Sequence, residues 1–263
     1  MTIAFYFIRL TGVACALAAT SVVHAAPEEI QVYMDEINKP GEIGLDMHLN
    51  NVIDGQSGVD YPGAQPSVHR TRVTPEFSLG LGSGFEAGLY LPIATIGSDA
   101  VVRAQGAKVR IKWINPRHKE DGFYYGANLE VGRVAHALDQ NPWNGELKLI
   151  SGWRGGRVSF ATNVNFDFVI AGPANGPTTL DVDTKFAYRL SPKWSFGIES
   201  YNGQGPLRSL VNFRTNEQAT FLAADAHLGR WDVNFGLGKG YGANADSVIA
   251  KMILSVPLPQ FKH

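Results

Sequence analysis

From Glu42 to Asn50 every second residue is apolar (Ile43, Leu45, Met47, Leu49), and the residues between are glycine, charged or polar. A two-residue period of this kind is the signature of a strand with one dry face and one wet face. The pattern repeats at once: Val73, Phe77, Leu79 and Leu81 fall on one face of the next stretch, and Arg70, Arg72, Thr74, Glu76 and Ser78 on the other. Ten further stretches follow, at 85–95, 102–114, 122–134, 143–153, 158–169, 179–190, 194–202, 217–228, 231–240 and 246–257. Most are about ten residues long, the span of a tilted strand crossing a bilayer, whereas soluble strands average about 5–6.

The connections between these stretches alternate in length. Gly82-Ser83-Gly84, Arg154-Gly155-Gly156-Arg157, Ser191-Pro192-Lys193 and Gly229-Arg230 are tight, and 115–121 is somewhat longer. The intervening loops lie at 54–66, 96–101, 135–142, 170–178, 203–216 and 241–245, and several are long. Outer-membrane barrels have short periplasmic turns and longer extracellular loops. Trp113, Trp153, Trp194 and Trp231 lie beside the tight turns and Trp143 beside a long loop, as membrane-interface aromatics do. These features predict an all-β fold: a closed antiparallel transmembrane β-barrel of about twelve strands over 42–263. In such a barrel Val158, Phe160, Val164, Phe166 and Phe168 face lipid, and Ser159, Asn163, Asn165 and Asp167 face water. A soluble sandwich buries the first set instead.

Composition narrows the classes. Charged residues are 18% of the chain and the formal net charge is −1, which gives no electrostatic reason to bind nucleic acid. The single cysteine, Cys15, rules out an intrachain disulfide and a thiolate zinc cage. Residues 1–25 have the layout of a secretory signal: Arg9, an apolar run from Leu10 to Ala19, and small or aliphatic residues at Val23 and Ala25. The competing reading is a lipid-anchored Cys15, against which Gly12 occupies a position where an aliphatic residue is usual. Residues 26–41 form a periplasmic N-terminal segment whose role as plug, tether or short extra strand at 29–34 stays open.

The inward phase collects charge of both signs. Asp46 and His48 lie on the first strand, then Arg70, Arg72, Lys108, Arg110 and Lys112 make a basic arc that Glu76 and Glu86 interrupt. Glu130, Glu146, Asp167, Asp181 and Asp183 make an acidic arc that Lys148, Lys185 and Arg189 interrupt. These are lumen-lining candidates: two facing arcs would set up a field across the passage, whereas the alternative reading is a solvated or salt-bridged wall. Twelve strands enclose more than the eight whose side chains fill a barrel, so an aqueous passage is expected. His48 and His227 are the histidines in the inward phase, with His48 near Glu76 if the first two strands pair. Neither lies in a nucleophile elbow, and no His/carboxylate spacing suggests a metal. Gly80-Leu81-Gly82-Ser83-Gly84 has no helix after it and is expected to be a hairpin turn rather than a phosphate loop.

The runs Glu29-Ile-Gln-Val-Tyr-Met-Asp-Glu36, Pro40 to Asn50 and Arg72 to Pro92 resemble the family of Gram-negative outer-membrane proteins named for the meta-pathway of phenol degradation. The resemblance covers residues 28–92. It implies an outer-membrane channel or transporter for small solutes, with aromatic or hydrophobic compounds as the suggested class. The expected protein is not an enzyme and uses no cofactor. Its partners are outer-membrane lipids, a small solute and the assembly machinery, with Tyr61, Phe213 and Arg214 at the mouth. Phe261, a candidate assembly signal, is not terminal, since Lys262 and His263 follow it. Two other readings remain: a lipid- or lipopolysaccharide-modifying enzyme of the outer membrane, and a soluble periplasmic β protein that binds apolar ligands.

Overall fold

The computed structural model describes residues 29–258 apart from 92, 118, 120, 175, 211–215, 243 and 244. The signal segment 1–25 with Cys15, the mouth residues Phe213 and Arg214, and Phe261 lie outside the described residues.

The strands are β1 (Ile43–Asp54), β2 (Thr71–Gly82), β3 (Phe85–Tyr90), β4 (Ala94–Ile96), β5 (Val102–Ala104), β6 (Gly106–Ile114), β7 (Gly122–Val134), β8 (Trp143–Gly155), β9 (Val158–Ala171), β10 (Thr179–Ser191), β11 (Trp194–Pro206), β12 (Gln218–Leu228), β13 (Trp231–Tyr241) and β14 (Val248–Pro257). Each pairs antiparallel with its neighbour, and β1 pairs with both β2 and β14. The sheet therefore closes on itself. β4 continues the course of β3, and β5 leads into β6, so the wall is a closed antiparallel barrel of twelve strands. Closure leaves no edge carrying unpaired N–H and C=O groups, the only arrangement of strands that hydrocarbon tolerates.

The expected third and fourth strands, 85–95 and 102–114, are each broken in two. Pro75 supplies the reason. Tyr90 pairs with Glu76 and Ala94 with Val73, and Pro75 on β2 lies between those two pairings. Proline has no N–H to give the ladder. The hydrogen bond from Leu91 N to Pro75 O, at 2.9 Å, keeps the two strands joined through it.

Alternation sets which side chains face outward. Phe160, Phe186, Phe196, Leu222, Leu237 and Met252 are exposed on the outer face, with Leu222 71% accessible. A soluble sandwich would bury such residues. Trp113, Phe85, Tyr125 and Phe123 make ring contacts with centroids 5.8–6.4 Å apart near the tight turns, and Trp194 meets Phe196 and Phe235 at the same end. Trp143, Trp153 and Trp231 are also exposed.

The turn Gly82-Ser83-Gly84 joins β2 to β3 as a hairpin, with all three residues at positive φ. A Cβ on Gly84 would fall 2.1 Å from the carbonyl oxygen of Ile114. Gly84→Val is therefore expected to destabilise the barrel by about 1–3 kcal/mol through strain at a left-handed position. Urea unfolding in lipid vesicles measures this, and an unchanged midpoint would remove the turn from the account.

Candidate functional site

Residues 29–39 form no strand. They thread the barrel interior, and contacts to widely separated walls hold them there. The backbone of Tyr33 is clamped by Asn163 on β9: its N–H donates to Oδ1 at 2.6 Å and its carbonyl accepts from Nδ2 at 2.9 Å. Asn163 is itself fully buried. The Tyr33 hydroxyl lies 2.9 Å from that of Tyr90 on β3 and 3.3 Å from Glu29. Across the lumen, Lys251 Nζ on β14 donates to the carbonyl of Ile30 at 3.1 Å. Lower down, Arg154 on β8 donates from Nε to Asp35 at 2.5 Å and also grips Glu36, while Arg117 reaches Asp35.

Apolar packing completes the seat. Val32, Tyr33 and Met34 pack with Ile114, Tyr124, Ile150 and Ala161, and Ile30 packs with Ala219, Phe221 and Ile249. One wall position is shaped for the segment: a Cβ on Gly80 would lie 2.2 Å from the Lys39 carbonyl oxygen and 2.4 Å from that of Asn38. Backbone hydrogen bonds between Gly80 and both Gly41 and Glu42 anchor the chain where it turns into β1. Beneath the segment, a cavity of about 490 Å³ reaches the tight-turn end of the barrel, between Glu36, Asn38, Lys112, Asp225 and Arg230.

The charged wall residues are interleaved by sign. His48 Nε2 lies 3.2 Å from Glu76, across from which Asp46 stands in register. Arg110 spans Glu76 at 2.5 Å and Glu86 at 2.8 Å, and Lys112 meets Glu86 at 2.9 Å. Lys108 pairs with Glu130 at 3.0 Å, which joins the basic arc to the acidic one. Within the acidic arc, Glu146 meets Lys148 at 3.3 Å and stands opposite Asp167, and Asp183 accepts from Asn165 at 2.6 Å. Asp181 stands opposite Gly203. Buried Arg70 and Arg72 lie toward the long-loop end, where Arg70 donates to the Gln65 carbonyl at 3.1 Å. The two arcs thus interlock as neighbouring pairs, which shortens the reach of any field between them.

A second network adds Glu199, Tyr201 and Lys251, which did not stand out in the sequence, to Lys185. Glu199 on β11 is paired with Lys251 and, at 3.2 Å, with Lys185, and it accepts from Tyr201 at 2.7 Å. Lys185 also meets Asp225 at 3.0 Å. All of these side chains share the inward phase of their strands, but only pairing across several strands brings them together. The fold also brings ligand atoms of Glu29, His48 and Glu76 within 4.8 Å of one another, a set capable of holding a metal. Arg110 already neutralises Glu76 there. His227 instead lies at the barrel rim, exposed, 2.5 Å from Asp232.

At the opposite end, loop 55–69 folds onto its neighbours. Tyr61 donates to the His136 carbonyl at 2.8 Å, and the two rings lie 5.1 Å apart. Burial, then Asp139 and Asp60, push the Tyr61 phenol up, so it stays a donor at neutral pH. Gln56 and Ser67 both bond Asp246, just before β14.

No protein-family model matches this chain, and no curated protein matches it. Its fold is shared with solved structures. The COG4313 outer membrane channel from Pseudomonas putida F1 superposes with a TM-score of 0.60 at 12% identity, over 88% of this chain and 100% of that one. The KdgM porin gives 0.55 at 10% identity, over 82% and 99%. The NanC porin gives 0.51 at 10% identity, over 82% and 99%. At such identities the likeness is one of fold.

Because Glu199 carries the charge opposite two buried lysines, Glu199→Ala is expected to cost about 3–5 kcal/mol, the penalty of stranding a buried charge. The midpoint of urea unfolding in vesicles checks it. A loss below about 1 kcal/mol would mean that water already solvates the cluster.

Proposed function

We propose that this protein is an outer-membrane channel for small solutes, reached through the signal at 1–25, and that residues 29–39 are the plug that closes it. The observation that carries the reading is a segment tied to the inner wall of a barrel whose outer face is apolar. The exposed belt of Leu222, Leu237, Phe186 and Phe196 suits acyl chains, and the aromatic cluster at the tight turns suits the headgroup layer. The inner wall suits water, since its charges are met by partners of opposite sign. Passage is passive and runs down a gradient, and the chain's own residues need only bind, neutralise and release. The resemblance of residues 28–92 to the phenol meta-pathway family points to aromatic or hydrophobic solutes.

The plug is held by side chains rather than by a strand ladder, so it can leave without breaking the barrel. Its carboxylates Asp35 and Glu36 share Arg154. The double substitution D35N/E36Q is expected to raise open probability in planar bilayers about tenfold, the equivalent of about 1.4 kcal/mol of lost charged hydrogen bonding. Gly80→Val, which pushes on Asn38 and Lys39, is expected to act in the same direction. Silent bilayers for the intact chain and for both variants, together with turnover of added lipopolysaccharide, would replace the channel with the enzyme reading.

The lipid-facing belt has its own test. Leu222→Arg places a charge near mid-wall and is expected to destabilise the vesicle-inserted protein by about 2–4 kcal/mol. No change in unfolding free energy would mean that this face does not meet hydrocarbon.

A further inference from the structure

We propose that Glu29, His48 and Glu76 form a site for a divalent transition-metal ion of the zinc class, and that the ion staples residues 29–39 to the barrel wall. The site goes beyond the channel reading and stands on its own geometry; its effect on current rests on that reading.

The three side chains come from separate stretches: Glu29 from the lumen segment, His48 from β1 and Glu76 from β2. One ligand atom from each lies within 4.8 Å of the other two. His48 Nε2 and Glu76 Oε2 are 3.2 Å apart. Zinc holds nitrogen and oxygen ligands at about 2.0–2.2 Å, which puts neighbouring ligand atoms about 3–4 Å from each other. The set therefore needs only a small contraction around an ion. Its members follow no metal-binding spacing along the chain, so only folding reveals it.

The existing bonds leave ligand capacity unused on all three residues. Glu29 Oε2 accepts from the hydroxyls of Tyr90 at 3.0 Å and Tyr33 at 3.3 Å, while its Oε1 is buried with no hydrogen-bond partner among the described residues. Arg110 Nε holds Glu76 Oε1 at 2.5 Å and leaves Oε2 to His48. His48 is 1% exposed, and its Nδ1 has no partner among the described residues either. A buried polar atom without a partner costs about 1–3 kcal/mol, so an enclosed imidazole and a carboxylate oxygen left this way mark a place for a ligand. Tyr33, Tyr90 and Arg110 would then hold the ligating carboxylates from outside, as hydrogen-bonding groups around metal sites do.

Charge sets the sign of the ligand. Glu76 and Glu86 offset Arg110 and Lys112. Glu29, and Asp46 in register with Glu76, lie outside those pairs. Two carboxylates beyond the local balance match a divalent cation. The donor set narrows the element: one imidazole with two carboxylates suits zinc, nickel or cobalt(II), whereas calcium and magnesium take oxygen ligands. Because Glu29 enters with the lumen segment, withdrawing that segment leaves the ion two protein ligands instead of three. The bound ion and the seated segment therefore stabilise each other.

The test is isothermal titration of zinc chloride into the untagged full chain in detergent, after treatment with a chelator. Glu29→Gln and His48→Ala are each expected to weaken zinc binding at least about a hundredfold, since loss of an outer hydrogen-bonding group alone costs about 10–100-fold. Glu29→Gln lies on the segment rather than the wall, so it carries the test if His48→Ala fails to fold. His227→Ala, which removes the exposed rim pair with Asp232, is expected to leave the tight site unchanged. Magnesium in excess is expected not to displace zinc. An absence of zinc binding, an affinity unchanged by Glu29→Gln, a loss seen only in His227→Ala, or displacement by magnesium overturns the site. Bilayer current on the same preparation separates the two readings. With zinc at about ten times its Kd, current through D35N/E36Q is expected to fall about tenfold and to recover when a chelator is added. Current that saturating zinc leaves unchanged overturns the staple. Zinc binding with no current from either the intact chain or D35N/E36Q keeps the site and discards the channel, whereas current without zinc binding discards the site and keeps the channel.

Discussion

Closure of the sheet between β1 and β14 is the constraint on which the rest depends. A backbone N–H or C=O without a partner in hydrocarbon costs several kcal/mol, so a wall facing acyl chains has to pair all of them. The ten-residue register from Gly44 opposite Pro257 to Asp54 opposite Val248 does this at the seam. Once the ring is closed, strand alternation leaves side chains only two destinations. Val164, Phe166 and Leu222 go out, and Asn163, Asn165 and Phe221 go in. Everything chemical about this molecule is then a property of its inner surface.

That inner surface is crowded, and its charges are neutralised locally. Arg110 between Glu76 and Glu86, and Glu199 between Lys185 and Lys251, show the same device: one ion shared by two of opposite sign, one on the adjacent strand and one two or three strands away. Isolated buried ions are costly, and sharing spreads that cost while leaving hydrogen-bonding capacity at the lumen. The segment at 29–39 uses that capacity. Asn163, Tyr90, Lys251 and Arg154 hold it from separate walls, and none of these bonds belongs to the ladder that closes the barrel. A segment attached this way can be loosened by local changes while the wall stays intact.

Much of the fold was legible in the sequence, and the reason is physical. A two-residue period repeated over stretches of about ten residues specifies one wet and one dry face, and loop lengths orient the barrel. The strands β6 to β10, the tight turns and the outward tryptophans follow from those signals alone. The break in the third strand was less visible, because Pro75 on the neighbouring strand is seen to stand beside it only once pairing is known. The lumen charges could be assigned to a face but not to partners. Lys251 meets Glu199, fifty-two positions earlier in the chain, and only the rolled sheet brings them together. The seat of Tyr33 is the extreme case, since nothing local to Glu29–Glu36 says that Asn163 will receive its backbone.

The central claim is that this segment occupies the passage through a membrane-embedded barrel. Cys15 is the only native cysteine, so a pair introduced as Tyr33→Cys and Asn163→Cys can report on it directly. In planar bilayers the oxidised double variant should be silent, and a reductant added to the bath should restore current within the same recording. Current that is identical before and after reduction, with the crosslink verified by mass spectrometry, would show that the segment does not guard the path.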